Sequence, residues 1–574
     1  MNKVNLWAPE KKEVILISGD QKIAMTKNAN GHWLASDFVQ TENEDYAFLV
    51  DGEGPFPDPR SLWQPKGIYG PSRWVDHSKF PWEDHHWKGM PLTSSNIIYE
   101  LHTGTFTPEG TFEALEKKLD YLLELGIDAI ELMPVNGFSG NRGWGYDGVN
   151  LFAVYSPYGG PTALKKLINS AHKKGIAVIL DVVYNHLGPD GNFLGKFAPY
   201  FTDKYKTPWG AAINYDSAHS DEVRKFIIDN ALMWLRDYHF DGLRLDAVHA
   251  IVDNSATHIL EEIHIEVDKL KKTTGKEYFL IAESDLNDPR LITSQAEGGF
   301  GLDAQWSDDF HHAIHSSLTG EVGGYYEDFG ELSQIAKAYQ NSYVYDGIYS
   351  KHRKRRHGRQ HLKTSGKHFL SYIQNHDQIG NRAKGDRINS LISINRLKIA
   401  SALNILSPFV AMLFQGEEWA ASSPFQFFCH HQDPAIAEAT RKGRISEFMS
   451  FGWKKDEIPD PQNESTFLNS KLDWEEKNQN YHLEIQSWYK ELIKIRKTFL
   501  KDNLGEIQAQ YDQINDTIRI RSSELMILIN LSEQNQELEL PKHSNILLSS
   551  IVNLTHRAET VTLIKDSVVI IGLK

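Results

Sequence analysis

The chain is poor in sulfur and in positive charge, and both shortages narrow its function. Its 574 residues include one cysteine, Cys429, so no intramolecular disulfide can form. Cys429 also has no metal-ligand or catalytic company in the sequence and reads as inert. Long apolar runs are missing: nothing reaches the roughly 18 residues of a membrane span. The segment Met1-Asn-Lys-Val-Asn-Leu-Trp7 carries no apolar stretch of the kind a secretory signal needs, and the cytoplasm is the expected setting. Lysine and arginine total 61 against 76 aspartate and glutamate, a net charge of −15. That balance favours solubility and argues against nucleic acid as a partner. Internal repeats and low-complexity linkers are absent.

What is present is a chain long enough for several domains. Aromatics are plentiful, with 14 Trp, 23 Tyr and 27 Phe. Most belong in cores, yet flat rings also suit the apolar faces of sugars. Residues 1–90 read as short strands with turns at 28–31, 51–52 and 58–59, giving an N-terminal β-sandwich of carbohydrate-binding type. From about residue 96 strands alternate with helices. Strands are expected at 97–102, 128–134, 176–181, 241–246, 278–283, 302–306, 368–373 and 409–414. Helices are expected at 112–126, 161–175, 220–238, 255–274, 390–406 and 482–499. Eight strands alternating with helices predict a (β/α)₈ TIM barrel spanning 91–500. The 94 positions from Glu283 to Asp377 exceed two lean βα units, so a loop insertion is expected at 307–366. Short strands return after residue 505, giving a C-terminal antiparallel β-sheet domain at 501–574. The fold class is therefore α/β.

Four segments carry the chemistry: Asp181-Val-Val-Tyr-Asn-His186, Asp241-Gly-Leu-Arg-Leu-Asp-Ala-Val-His249, Leu280-Ile-Ala-Glu-Ser284 and Ser371-Tyr-Ile-Gln-Asn-His-Asp377. Each is an apolar run of strand length ending in a carboxylate. In a parallel barrel, catalytic groups project from the C-terminal ends of several strands. Glycosidic cleavage needs an acid for the leaving oxygen and a carboxylate for the oxocarbenium-like carbon. Asp246 and Glu283 are the expected pair. Arg244, two residues before Asp246, points to the same face and would keep it ionised. Glu283 ends a very apolar strand, where burial would keep it protonated. Asp377, beside Asn375 and His376, suits clamping of sugar hydroxyls. His186 and His376 are candidate donors to the sugar ring. Asp181 alone reads as structural support.

These segments resemble the four motif regions of the α-amylase family of glycoside hydrolases. The resemblance implies Asp246 as nucleophile, Glu283 as acid/base and Asp377 as transition-state stabiliser, with His186, Arg244 and His376 as companions. In Gly143-Trp-Gly-Tyr146-Asp147, Tyr146 matches the residue that stacks under the sugar being cleaved. Further segments are similar to the malto-oligosyltrehalose trehalohydrolases within that family: 61–72, 99–112, Ala304-Gln-Trp-Ser-Asp-Asp-Phe-His-His312, His357-Gly-Arg359, Gly416-Glu-Glu-Trp-Ala420, 447–453 and 470–474. That likeness implies hydrolysis of the α-1,4 bond next to a terminal trehalose unit, with substrate supplied by a malto-oligosyltrehalose synthase. It implies no redox cofactor and no catalytic metal. Asp308, Asp309, Phe310, His311 and His312, with His249 and Asn381, are the expected contacts to the trehalose end, and Gln378 is a further expected substrate-binding residue. Leu187 departs from the family pattern, where a larger residue is expected, and the C-terminal domain is matched only loosely.

Blander readings stand beside these. Tyr146 and Trp453 could be core residues, and His311 or His312 could simply be packed. The basic run Lys351 to Arg359 imitates a nucleic-acid patch but reads as a solvated loop. A glucan branching or debranching enzyme on the same scaffold is an alternative, and so is a non-catalytic glucan-binding protein.

Overall fold

Eight short, largely apolar segments close on one another in the computed structural model. They are Ile97–Leu101, Ala129–Leu132, Ala177–Val182, Gly242–Leu245, Phe279–Ala282, Ala304–Trp306, Phe369–Ser371 and Val410–Phe414, all parallel, with the first pairing the eighth. This is a TIM barrel, as the strand–helix alternation predicts. The structure describes residues 4–36, 38–207, 209–360, 366–450, 453–500, 507–557 and 559–573.

Alternation within each strand splits the barrel into two faces. Ile98, Ala129, Ala177, Ile179, Phe279, Ile281, Ala304, Leu370 and Met412 fill the interior as one buried cluster. Their neighbours one residue away, such as Ile97, Ile130 and Leu180, belong to the larger core under the helices. The bottom of the barrel is therefore packed hydrocarbon. Its top, where the strands end, receives the polar residues.

The surrounding elements follow the sequence with informative departures. The helix expected over 112–126 is two, Phe112–Glu116 and Leu119–Leu125, ended by Gly126 at φ 96°. Between them Lys118 lies with its ammonium 4.0 Å from the Trp474 ring centroid. The helix expected from residue 255 starts only at Ile259. Asp253 holds the preceding residues out of it, accepting from the backbone N–H of Ser255 and Ile259 and pairing with Arg224 at 2.7 Å. The 307–366 insertion is not a plain loop. It contains helices Asp308–Thr319 and Leu332–Asn341 and a hairpin, Asp346–Ser350 with Arg355–Gly358. The basic run forms the tip of that hairpin and is largely exposed.

Before the barrel, Asn5–Trp7, His32–Leu34 and Thr26–Lys27 form one antiparallel sheet; Gln21–Ala24, Val14–Ser18, Asp45–Val50 and Glu53–Phe56 form another. After helix Asn480–Phe499, two further antiparallel sheets follow, from Gln508–Asp512 to Ser567–Gly572. The expected boundary at 500/501 touches residues 501–506, outside the described residues. Among the described residues no helix is long and apolar enough to cross a membrane.

Candidate active site

Asp246 and Glu283 each stand one residue past the end of their strands, the fourth and fifth of the barrel. Arg244, fully buried inside the fourth strand, joins them. Its Nη1 lies 2.7 Å from Asp181 Oδ2 and 2.9 Å from Asp246 Oδ1, and its Nη2 lies 3.3 Å from Glu283 Oε2. The guanidinium carbon sits 4.1 Å from the Trp306 ring centroid, a cation–π contact that fixes its plane. Asn185 Nδ2 donates to Asp246 Oδ2 at 2.7 Å. Asp246 is thus supplied with donors on both oxygens.

Glu283 is treated differently. Burial pushes its carboxyl well above the usual range, and the nearby Asp246, Asp377 and Asp308 add to burial while Arg244 opposes it. The backbone N–H of Ala247 donates to Glu283 Oε2, and that of Val248 to its carbonyl at 3.0 Å. Ala247 takes φ 38° to present its N–H. A positive φ is costly for a residue with a Cβ and is kept where surrounding contacts demand it. The Asp246, Glu283 and Asp377 side chains remain 12%, 15% and 34% exposed, so a substrate can reach all three.

Asp377 opens the short helix His376–Gly380 after the seventh strand. Asn381 Nδ2 donates to it at 3.2 Å, and His376 Nε2 lies 3.5 Å from its Oδ2. His376 is buried against Tyr146, the two rings stacked at 4.9 Å. Its backbone N–H donates to Glu100 Oε2 at 3.0 Å, and its ring Nδ1 also meets Glu100. Burial works against charge on this ring, but Asp377 and Glu100 outweigh it and hold His376 up at about 9. Tyr146 donates its hydroxyl to Asp181, whose carboxyl burial raises to about 6 despite Arg244. His186 stacks on the exposed Trp209 at 5.0 Å and pairs through Nδ1 with Asn185 Oδ1 at 2.6 Å.

The remaining candidates separate into two groups. Asp308 accepts from the Tyr372 hydroxyl, and burial lifts its carboxyl to about 7, with Asp285 and Asp377 contributing. His311 lies between Ile373, whose carbonyl is 3.0 Å from Nδ1, and the Tyr326 hydroxyl, 2.9 Å from Nε2. His312 is packed among Tyr325, Tyr326 and Phe329. His249 is exposed near Asp285, and Gln378 is held through its backbone N–H by Asn375 Oδ1 at 2.7 Å. Asp309 and Phe310 are not brought to this cluster. Asp309 Oδ2 is taken by Asn287 Nδ2 and by the backbone N–H of Val344 and Tyr345, each at 2.7 Å. Phe310 packs against Tyr339 and Phe409 in the main core. Among the described residues no group of three or more His, Cys, Asp or Glu is arranged to hold a metal ion.

The chain matches known proteins in both sequence and shape. The alpha amylase catalytic-domain model matches residues 68–207. A malto-oligosyltrehalose trehalohydrolase from Arthrobacter ramosus is 45% identical over 95% of this chain and 95% of its own length. Another, from Saccharolobus solfataricus, is 48% identical over 86% of this chain and 85% of its own. The chain belongs to the malto-oligosyltrehalose trehalohydrolase family. A solved structure from Salmonella typhimurium, provisionally assigned as an alpha amylase, superposes with a TM-score of 0.91 at 35% identity, covering 100% of this chain and 97% of the other. The chain is accordingly a glycoside hydrolase of the α-amylase family.

Three residues that touch this cluster escaped the sequence reading of site members: Glu100, Trp306 and Trp209. The first two had a signal. Each is a polar or bulky residue at an inward position of a barrel strand. Trp209, on the turn between Phe201–Thr207 and Gly210–Ile213, had none beyond being an exposed aromatic.

Proposed function

We propose that the chain is a retaining hydrolase that cuts the α-1,4 bond next to the terminal trehalose unit of malto-oligosyltrehalose, releasing trehalose and a shortened maltodextrin. The observation that carries this reading is the single Arg244 guanidinium touching two reachable carboxyls, Asp246 and Glu283, that end neighbouring barrel strands. Glu283 protonates the glycosidic oxygen while Asp246 attacks the anomeric carbon, and trehalose leaves. Glu283, now ionised, takes a proton from water; the water oxygen displaces Asp246 and frees the maltodextrin. Asp377 clamps hydroxyls as the ring flattens, His186 and His376 donate to the sugar, and Tyr146 lies under it. Asp308, His311, His312, His249, Gln378 and Asn381 form the wall for the trehalose end. Asp309 and Phe310 hold that wall in place from behind.

The names of the relatives support the trehalose-terminated substrate, and a synthase that isomerises the chain end would supply it. The division into domains at about residues 90 and 500, and a cytoplasmic setting, belong to the same proposal. The test is incubation with maltotriosyltrehalose and, separately, with maltodextrin of matched length. Trehalose is expected from the first, with retained anomeric configuration by proton NMR at early times, and much slower cutting of the second. Equal rates on both, or new α-1,6 links, would replace the reading with a plain amylase or a branching enzyme.

A further inference from the structure

Glu131 has no place in the chemistry above, yet it lies in the floor of the site. It belongs to the second barrel strand and is fully buried. Its register partners are Glu100 on the first strand and Ile179 on the third. Residues paired across parallel strands point the same way, and Ile179 lines the barrel interior. The Glu131 and Glu100 carboxyls therefore enter the interior side by side, at the spacing of neighbouring strands.

The cations available to them are already committed. Arg244 meets Asp181, Asp246 and Glu283. His376 meets Glu100 and Asp377. Neither Glu131 oxygen has a hydrogen-bond partner among the described residues, and Asp181 Oδ1 and Arg244 Nε are in the same condition. A second carboxylate beside Glu100, buried and without a cation of its own, would be unsustainable.

We propose that Glu131 is a positioning residue, a carboxyl kept protonated beneath Arg244 so that His376 is left to Glu100 and Asp377. The groups facing it are Glu100, Asp181, Arg244 and His376, and burial next to Glu100 and Asp181 drives its pKa upward. In the neutral form Glu131 takes no cation from its neighbours and can donate its proton to an adjacent carboxylate. His376 then keeps its ring charged and its Nε2 directed at Asp377. An ionised Glu131 would compete for both His376 and Arg244, and the reacting carboxyls would lose their common anchor.

The activity arm of the test rests on the hydrolase reading; the spectroscopic arm does not. Infrared difference spectra of the parent against Glu131→Gln, without substrate at neutral pH, are expected to show a protonated-carboxyl stretch in the parent alone. Loss of ionised-carboxylate bands instead would overturn the proposal whatever the substrate is. Glutamine copies the shape and donor of the neutral acid, so Glu131→Gln is expected to keep kcat within about two-fold. Glu131→Leu removes the donor and is expected to lower kcat by about ten-fold to a hundred-fold, the scale of a small misplacement of reacting groups, with KM nearly unchanged. A glutamine variant as damaged as the leucine variant, or a leucine variant as active as the parent, would also overturn it. Thermal unfolding of both variants separates misfolding from misplacement, and the glutamine spectrum stands even if leucine fails to fold.

Discussion

Two clusters of buried acids crown this barrel, and they are built in opposite ways. Around Arg244, the Asp246, Glu283 and Asp377 carboxyls share a guanidinium, an imidazole and an amide, and each stays partly open. At the end of the eighth strand, Glu417 and Glu418 are closed off entirely. Glu418 accepts from the Tyr99 hydroxyl at 3.0 Å and from Tyr121 at 2.8 Å, and Glu417 from Tyr489 at 3.1 Å and the Phe414 N–H at 3.3 Å. Burial lifts Glu417 to about 8 and Glu418 to about 7. A displaced pKa is thus common to both places and does not by itself mark catalysis. What marks the active cluster is reach, together with a guanidinium shared between its acids. The second cluster spends its acids on tying strands to the helix Asn480–Phe499.

The contrast can be broken first at its strongest point. Asp246→Asn is expected to lower kcat by about 10⁴-fold or more, the scale seen when a nucleophile is removed. Glu283→Gln is expected to lower it by about 10²–10⁴-fold, the range for a lost general acid. Both variants should unfold within a few degrees of the parent; a large fall in Tm would make either residue structural. Arg244→Leu tests the shared cation. It strands three carboxyls, and breaking such a buried arrangement costs about 3–5 kcal/mol, measurable by urea unfolding. A neutral effect would mean that the acids are held by other groups.

The closed cluster should respond in the reverse sense. Glu418→Gln keeps the tyrosine donors satisfied, so kcat should stay within about two-fold and stability within about 1 kcal/mol, the worth of an ordinary hydrogen bond. Its pH dependence gives the finest distinction. Carboxyls raised in the folded state resist ionisation there while the unfolded chain ionises near its ordinary value of about 4.3. The parent therefore loses stability as pH rises from that value toward the folded values of about 7 and 8. A Glu417→Gln/Glu418→Gln double variant lacks that slope, and its Tm advantage over the parent should grow across this window. A pH-independent difference would show that the pair is not the source.

Much of this was readable from the chain. All eight barrel strands announce themselves as short apolar runs, most of them set apart by helical stretches, and the acids at the ends of four of them follow from the strand-end rule. Three things were not. Period-two alternation shows that Glu100 and Glu131 point inward, but only closure of the barrel brings Glu100 to His376, 276 positions away. The block Asp308 to His312 was read as one binding unit, whereas successive helical residues are turned about 100° from each other. Asp309 and Phe310 consequently face the interior of the protein. The insertion at 307–366 has enough turn residues to look like loop, and its helices are fixed by tertiary contacts that local pattern does not contain.

The pairing of the first strand with the eighth has a consequence for how the enzyme comes into being. Glu100 leaves the ribosome early, but the histidine it orients and the strand that seals its flank lie some 276 residues and more behind it. Domains assemble as units during synthesis, so a nascent chain stopped between Glu283 and Phe414 holds Asp246 and Glu283 in an unsealed trough. Activity should switch on late and all together, and ribosome-stalled fragments ending before that point should be silent toward glucans in the cell.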